Sequence, residues 1–523
     1  MLKITSASLP SYHCGLPLQS VNTRQQVLHL PKPRLGYQMQ TLRQVPQIQQ
    51  RLANVSTQAQ SSIIGCHERP LNGLERFYYE VAKQGENDTI TGYRLDLARD
   101  LPDLATLEKH LVHLQNKLPS LKTRISQKDG KTVFVEPKYT PKLEITEQNV
   151  STKDAWKHIM SQALQAPFNP EIEPLVKFVV LRPAPAKVDC GEKVSQQQCQ
   201  LLAITHHSLI DGDGMLYIYK SLFDFIDKVS AEKPSAQSTI DHINDLVPQT
   251  LKSCGVRLES YSLKPPGLNY LGQSLIIDFI AKKIFPLFHP HVLDANNNFA
   301  DVAFNHTQTT QLLHAAKAHG VSLYGLISAA AIQVAPTFFP STPFGQLVTT
   351  TTPVSLRQRL DVPPIEDELG CFVSLVRDGF YRSPKDLKPM SKTQSRQQFW
   401  SIAQQAQQQL RQKVSNKDHE AIPFLLNHLF SKTDDASIVT KAVLPDTFLI
   451  NNLGRQTLDI KGLKWFSWMS CAGAVAPGVA LNFATVNGKL QLGLFSRRLD
   501  KDTLDQFRQC LEEKIAQAMT PAS

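Results

Sequence analysis

Gln200-Leu201-Leu202-Ala203-Ile204-Thr205-His206-His207-Ser208-Leu209-Ile210-Asp211-Gly212 reads as a strand, a turn and the start of a helix. The run to Thr205 is apolar, rich in branched side chains and preceded by a polar, Gln-rich stretch, which is how a buried strand is punctuated. From Gly214 the period changes to 3.6, with Met215, Leu216, Tyr219, Leu222, Phe223 and Ile226 on one face, so a buried helix follows. Two histidines therefore stand at a strand terminus. A general base needs a backbone that does not move and an opening onto a cavity, and an imidazole has a proton affinity suited to neutral pH. The glycines beside it permit a tight turn.

On the N-terminal side, folded sequence is expected to begin near Arg69-Pro70-Leu71. A helix follows over Asp103 to Leu118, where Leu104, Leu107, Leu111 and Leu114 share a face, and a strand over Leu175 to Leu181. On the C-terminal side, Leu312, Leu313 and Ala316 mark a helix from Thr309 to His319, which Gly320 stops; Ser322 is placed to cap an apolar helix running through Ala335. A Thr-rich strand spans Gln346 to Val354. Two strands, Val479 to Val486 and Lys489 to Phe495, flank the turn pair Asn487-Gly488, and a last helix runs from Leu504 to Met519. At 523 residues the chain exceeds one ordinary core. The expected organisation is a flexible basic extension over 1–65, an N-terminal lobe over 66–235, a connector over 236–300 and a C-terminal lobe over 301–523. The connector's apolar piece, Leu271 to Phe288, is interrupted by Asp278, Lys282, Lys283 and Pro286; it reads as a packing helix, with peripheral contact at a lipid surface left open.

The formal charge of +10 is unevenly spread, since residues 1–67 hold Lys3, Arg24, Lys32, Arg34, Arg43 and Arg51 and no acid. The remainder is too mildly basic to track nucleic-acid phosphates. The extension reads as a disordered tail; its acid-poor composition leaves organelle import open, and the compartment otherwise expected is the cytoplasm. Eight scattered cysteines form no C-x-x-C pair, so reduced thiols and no structural zinc are expected. There is no apolar run of transmembrane length.

His206-His207-Ser208-Leu209-Ile210-Asp211-Gly212 resembles the HHxxxDG signature of the superfamily that contains nonribosomal peptide condensation domains, chloramphenicol acetyltransferase-like enzymes, plant BAHD acyltransferases and polyketide-associated acyltransferases. Arg69-Pro70-Leu71 with Glu75, the helix pair Leu312 to Ala331, Pro353-Val354-Ser355-Leu356-Arg357-Gln358-Arg359 and Asn452-Leu453-Gly454 are similar to further stretches of its free-standing bacterial members. The resemblance covers roughly residues 66 to 518. The Asp-Phe-Gly-Trp-Gly string of the plant members is absent; Phe466-Ser467-Trp468-Met469-Ser470-Cys471 is the nearest stretch.

The resemblance implies an α/β fold of two chloramphenicol-acetyltransferase-like lobes, each a mixed β-sheet with helices, with a tunnel between them. It implies an acyltransferase in which His207 is the general base, without an acyl-enzyme. Asp211 pairs with an arginine, for which Arg357 is the candidate, and His206 and Gly212 shape the loop. The donor would be acyl-CoA or an acyl group on the phosphopantetheine of an acyl carrier protein, with no permanently bound cofactor. The acceptor would be an alcohol, ahead of an amine. The rival from another class is a non-catalytic condensation-like module that binds a carrier protein or partner enzyme. His110 and His113 read as a solvated helix face rather than metal ligands, and Cys471 as packing.

Overall fold

The computed structural model describes residues 68–84, 90–136, 142–184, 199–231, 297–359, 369–433, 446–470 and 477–520. All lie within one unit, Ser62–Ser523. The expected basic extension, the helix at Leu271 to Phe288 and Cys471 fall outside the described residues.

In the N-terminal half the order is β1 (Glu68–Pro70), α1 (Gly73–Lys83), β2 (Ile90–Leu97), α2 (Leu104–Lys117), β3 (Arg124–Lys128), β4 (Lys131–Val135), β5 (Glu144–Val150), α3 (Ala155–Gln165), β6 (Val176–Pro183), β7 (Cys199–His206) and α4 (Gly212–Ala231). The C-terminal half continues with β8 (Asn298–Ala303), α5 (His306–Ala318), α6 (Leu323–Phe338), β9 (Gln346–Ser355), β10 (Val373–Arg382), α7 (Lys392–Ser415), α8 (Ala421–Phe430), β11 (Phe448–Gln456), β12 (Leu463–Ser470), β13 (Val479–Val486), β14 (Lys489–Ser496) and α9 (Lys501–Met519).

These strands make two large mixed sheets, β12-β2-β7-β6-β5 and β10-β9-β11-β13-β14-β8, with a small β1-β4-β3 sheet beside the first. Each large sheet carries helices over its own core, so the chain is a two-lobed α/β molecule. Strand β7 is buried along its whole length and sits at the centre of the first sheet, between β2 and β6. That is why it reads as a continuous apolar run instead of an alternating one. Its last residue, His206, still pairs with Ile90 of β2, so the backbone is held up to the point where the turn begins.

The chain boundary and the sheet boundary differ in one place. Strand β12 comes from the C-terminal half and pairs antiparallel with β2, from Leu463 opposite Leu97 to Ser470 opposite Thr91. It leaves the other lobe through the irregular stretch of β11, where the register with β13 shifts between Asn452 and Arg455 and Gly454 takes φ +72°.

Local chemistry accounts for several element ends. Asp103 caps α2 by accepting the Thr106 N–H at 2.8 Å. Gly320 ends α5 in the left-handed region at φ +69°, and Asn487 and Gly488, at φ +47° and +78°, make the two-residue turn between β13 and β14. Ser322 differs from its expected role. It precedes α6 in extended backbone, but its hydroxyl donates to Gln407 Oε1 of α7 and caps nothing in its own helix. Among the described residues no single helix is long and apolar enough to cross a membrane; α5 and α6, apolar together, bend by 91°.

The reading of His110 and His113 as a solvated face is also corrected. His110 is 4% exposed and meets the ring of Phe225 edge-on at 4.7 Å, while His113 stacks on the same ring at 4.1 Å. Helix α4 covers this face of α2, and a helix periodicity cannot say what packs against a polar position. Burial and the neighbouring His113 push the His110 pKa down to about 4.

Candidate active site

The end of β7, the turn Ser208–Asp211 and the first turn of α4 bring four of the five sequence-selected residues together directly, and the fifth arrives from the far side of the chain. Asp211 is 1% exposed and its carboxylate is fully engaged. Oδ1 accepts the Gly214 N–H at 2.8 Å, which caps α4, and an Arg357 guanidinium N–H at 2.9 Å. Oδ2 accepts Arg357 Nε–H at 3.1 Å and the Phe372 backbone N–H at 3.1 Å. The guanidinium also lies over the Phe372 ring, 4.7 Å from its centroid. Asp211 thus ties the turn to the loop after β9 and to the start of β10, both in the other lobe. A bidentate arginine fixes orientation as well as charge.

Gly212 leaves room for a side chain that comes close to it. A Cβ there would stand 2.8 Å from Leu453 Cδ2, at the point where β11 leaves its sheet. Asp213, one residue on, accepts a hydrogen bond from Ser355 Oγ at 3.1 Å, a second link between the lobes.

The two histidines have different surroundings. His206 is wholly buried, its Nδ1 2.7 Å from Ser208 Oγ and its ring 6.1 Å from Phe168 in an edge-on contact. Burial and the adjacent His207 drive its pKa down to about 3, so it is neutral at any working pH. His207 is half-buried, and its Nδ1 lies 2.9 Å from the Ile210 carbonyl oxygen. A carbonyl only accepts, so Nδ1 carries the proton and Nε2 holds the lone pair. Burial lowers the His207 pKa from its ordinary value, against the pull of the Ile210 carbonyl and the Asp211 carboxylate.

The sequence did not single out the aromatic residue that stacks on His207. The Tyr78 ring of α1 stacks on the imidazole with centroids 4.4 Å apart and planes 21° from parallel. Helix α1 is held rigidly. Asn72 and Glu75 form a reciprocal capping box, and Glu75 is gripped by Arg69 at 2.6 and 2.9 Å. At its far side Gly73 N–H donates to Asn427 of α8, and the Arg76 guanidinium donates to the Phe430 carbonyl at 2.7 Å. The Asn-x-x-Glu spacing at 72–75 was the available signal for a capped helix here, but nothing local says which face meets the histidine. Chemically, the arrangement offers one oriented neutral imidazole with a free lone pair, with neither a nucleophilic serine nor a cysteine bonded to it among the described residues. Buried Cys371 is held in its thiol form, its pKa raised by burial.

Residues 295–457 match the family described as phthiocerol/phthiodiolone dimycocerosyl transferase C-terminus. No curated protein matches the chain in sequence. Among solved structures, a trichothecene 15-O-acetyltransferase from Fusarium sporotrichioides superposes with a TM-score of 0.62 at 14% identity, covering 89% of this chain and 98% of that one. The first condensation domain of the CDA synthetase gives 0.58 at 13%, covering 88% and 98%. Polyketide synthase associated protein 5 from Mycobacterium tuberculosis gives 0.54 at 13%, covering 88% and 100%. The architecture is that of the condensation-domain-like acyltransferases, as the HHxxxDG stretch implied.

Proposed function

We propose that this chain, built on the condensation-domain-like fold, moves an acyl group from a CoA or carrier-protein thioester to a hydroxyl acceptor, with His207 as general base. The observation that carries the reading is the Nδ1 contact to the Ile210 carbonyl, which leaves Nε2 as the basic atom. In this step the acceptor O–H gives its proton to Nε2 as its oxygen adds to the thioester carbonyl carbon. The tetrahedral adduct then expels the thiolate, which takes the same proton back from the imidazolium. The ester and a free thiol leave, and His207 ends as it began, so no acyl-enzyme forms. General base catalysis of this kind supplies roughly 10²- to 10⁴-fold in rate, and holding donor and acceptor in a seam between the lobes supplies the rest by orientation.

The depressed pKa supports the same role, since a base must be unprotonated when the acceptor arrives. The family matched by residues 295–457 is itself named for a transferase, and the trichothecene enzyme for acetylation of an oxygen; the second favours an ester product over an amide. Thiol release from a panel of acyl-CoA and carrier-bound acyl donors with alcohols and amines, compared between the native chain and His207→Ala, tests the reading. Acceptor-dependent release is expected to fall by at least about 100-fold in the variant. Equal release by both proteins would remove His207 from the chemistry, and no release with CoA or carrier-bound donors would leave a binding module.

A further inference from the structure

The six-stranded sheet has two faces, and the second one carries a cavity of its own. On the face toward the N-terminal lobe, Ser355 reaches Asp213 beside the histidines. On the opposite face, Val348, Phe448, Ile450, Leu481 and Phe483 pack under α6, α7 and α9. Alternation along the strands sends these sets of side chains to opposite sides. Between α6, the start of α7 and the end of α9 lies a cavity of about 520 Å³, within the usual size range of small-molecule sites. The sheet stands between it and His207, so whatever it holds is not delivered to the base.

Its lining is chemically lopsided. Lys392, Arg396 and Lys514 contribute cations, and none of the described lining residues is Asp or Glu. The adjoining recess includes Asp386, but that carboxylate is already occupied, accepting from Ser383 N–H at 2.9 Å, Ser383 Oγ–H at 2.6 Å and Gln398 Nε2–H at 3.3 Å. These bonds, with the charge of Arg382, hold the Asp386 carboxyl below its ordinary pKa, so it stays an anion, hydrogen-bonded chiefly to Ser383 of its own loop. The floor is apolar: Phe399 and Trp400, packed edge-on at 5.1 Å, with Met390 beside them. Trp400 is 5% exposed, is stacked by His319 at 3.8 Å, and its indole N–H has no acceptor among the described residues.

We infer that this cavity binds a small amphipathic anion, a phosphate- or carboxylate-bearing molecule with a flat or aliphatic body, at a second site distinct from the acyl-transfer centre. Lys392 and Lys514 in the lining select charge, and the aromatic floor selects the body; a bare inorganic anion satisfies only the first. Such a ligand acts on this lobe by binding, without entering the reaction.

Trp400 makes the test direct. Titrate the full chain, without acyl donor, with adenosine 3′,5′-bisphosphate, octanoate and inorganic phosphate, following tryptophan fluorescence and calorimetric heat. One organic anion is expected to bind saturably, with the nucleotide and fatty-acid arms distinguishing the two kinds of body. The double variant Lys392→Gln, Lys514→Gln is expected to weaken it by about tenfold or more, the scale of losing charge-assisted contacts. Trp400→Phe is expected to lose the fluorescence change while keeping the heat. Absence of saturation for both organic anions, equal affinity for inorganic phosphate, or unchanged affinity in the double variant would each overturn the proposal. Because acyl transfer is not the readout, failure here leaves the reading of His207 untouched.

Discussion

His206 and His207 share a peptide bond but differ in exposure and in hydrogen-bond partner. His207 works only while neutral, so acyl transfer should fall as acid protonates it. Its pKa lies below the ordinary 6.5, which places the acid limb of kcat/KM below that value. Tyr78 covers one face of the ring, and Tyr78→Leu should admit water there, return the pKa toward 6.5 and move the limb to higher pH, with a loss of about 10- to 100-fold from poorer orientation. Tyr78→Phe keeps the stack and should keep the profile; superimposable profiles for Leu and native would show that the ring merely fills space. His206 speaks through stability instead. Its native pKa of about 3 lies below the unfolded value near 6.5, so between these limits only the unfolded chain takes up the proton. Stability is therefore whole above pH 6.5 and is lost on acidification, by about 1.4 kcal/mol per pH unit. Between pH 6.5 and 5 the native protein should lose about 2 kcal/mol more than His206→Asn in denaturant unfolding; parallel curves would mean the ring is protonated in the fold. The residues of the turn were readable because they are contiguous. Tyr78 was not, since its partner lies on another element and a stack leaves no spacing in sequence.

At the scale of elements, α6 continues one turn past its expected end. Pro336 has no N–H for the Ile332 carbonyl, four residues earlier, and a proline inside a helix ordinarily stops it. The orphaned carbonyl is instead taken by the Arg382 guanidinium of β10 at 3.0 Å, which also donates to the Asp386 carbonyl at 2.7 Å and Gln398 Oε1 at 3.0 Å. Arg382 is 7% exposed, so these acceptors would find little water without it. Arg382→Leu keeps the bulk and removes the donors, and should cost about 2–4 kcal/mol, the sum of a charged hydrogen bond and the carbonyls left bare. A lower denaturant midpoint with an unchanged slope would register that loss; a midpoint within about 0.5 kcal/mol of native would show that α6 holds its last turn unaided. Periodicity located α2, α5 and α9, because amphipathic faces repeat locally, and a continuous apolar run located α6. The ends of α6 depend on Gln407 and Arg382, long-range partners that redirect Ser322 and rescue Pro336.

The two lobes are not separable along the chain, because β12 returns from the C-terminal half to complete the N-terminal sheet. Both lobes were legible as mixed α/β, since each has its own strand and helix patterns. The crossing was not, because a strand's sequence states that it has a buried face without naming the sheet it joins. Physical consequences follow from that crossing. Phe466 of β12 is 1% exposed within the N-terminal core, against Trp468 and the ring of Tyr219 at 6.5 Å. Arg94 of β2, 3% exposed, bonds to Asp301 of β8 at 2.9 Å and lies over Trp156 at 3.9 Å, stitching the sheets a second time. Breaking β12 away from its sheet therefore pulls on the segment that joins β11 to β13 in the other one. Phe466→Ala should remove about 3–5 kcal/mol by opening a cavity in the N-terminal core, yet the loss should appear in both lobes. Hydrogen exchange in graded denaturant makes this visible: peptides from β6, confined to the first sheet, and from β13, confined to the second, should lose protection at one common midpoint, lower in the variant than in the native chain. If β6 opened early while β13 kept its native midpoint, the lobes would be folding as independent units and β12 would be a strand that merely docks.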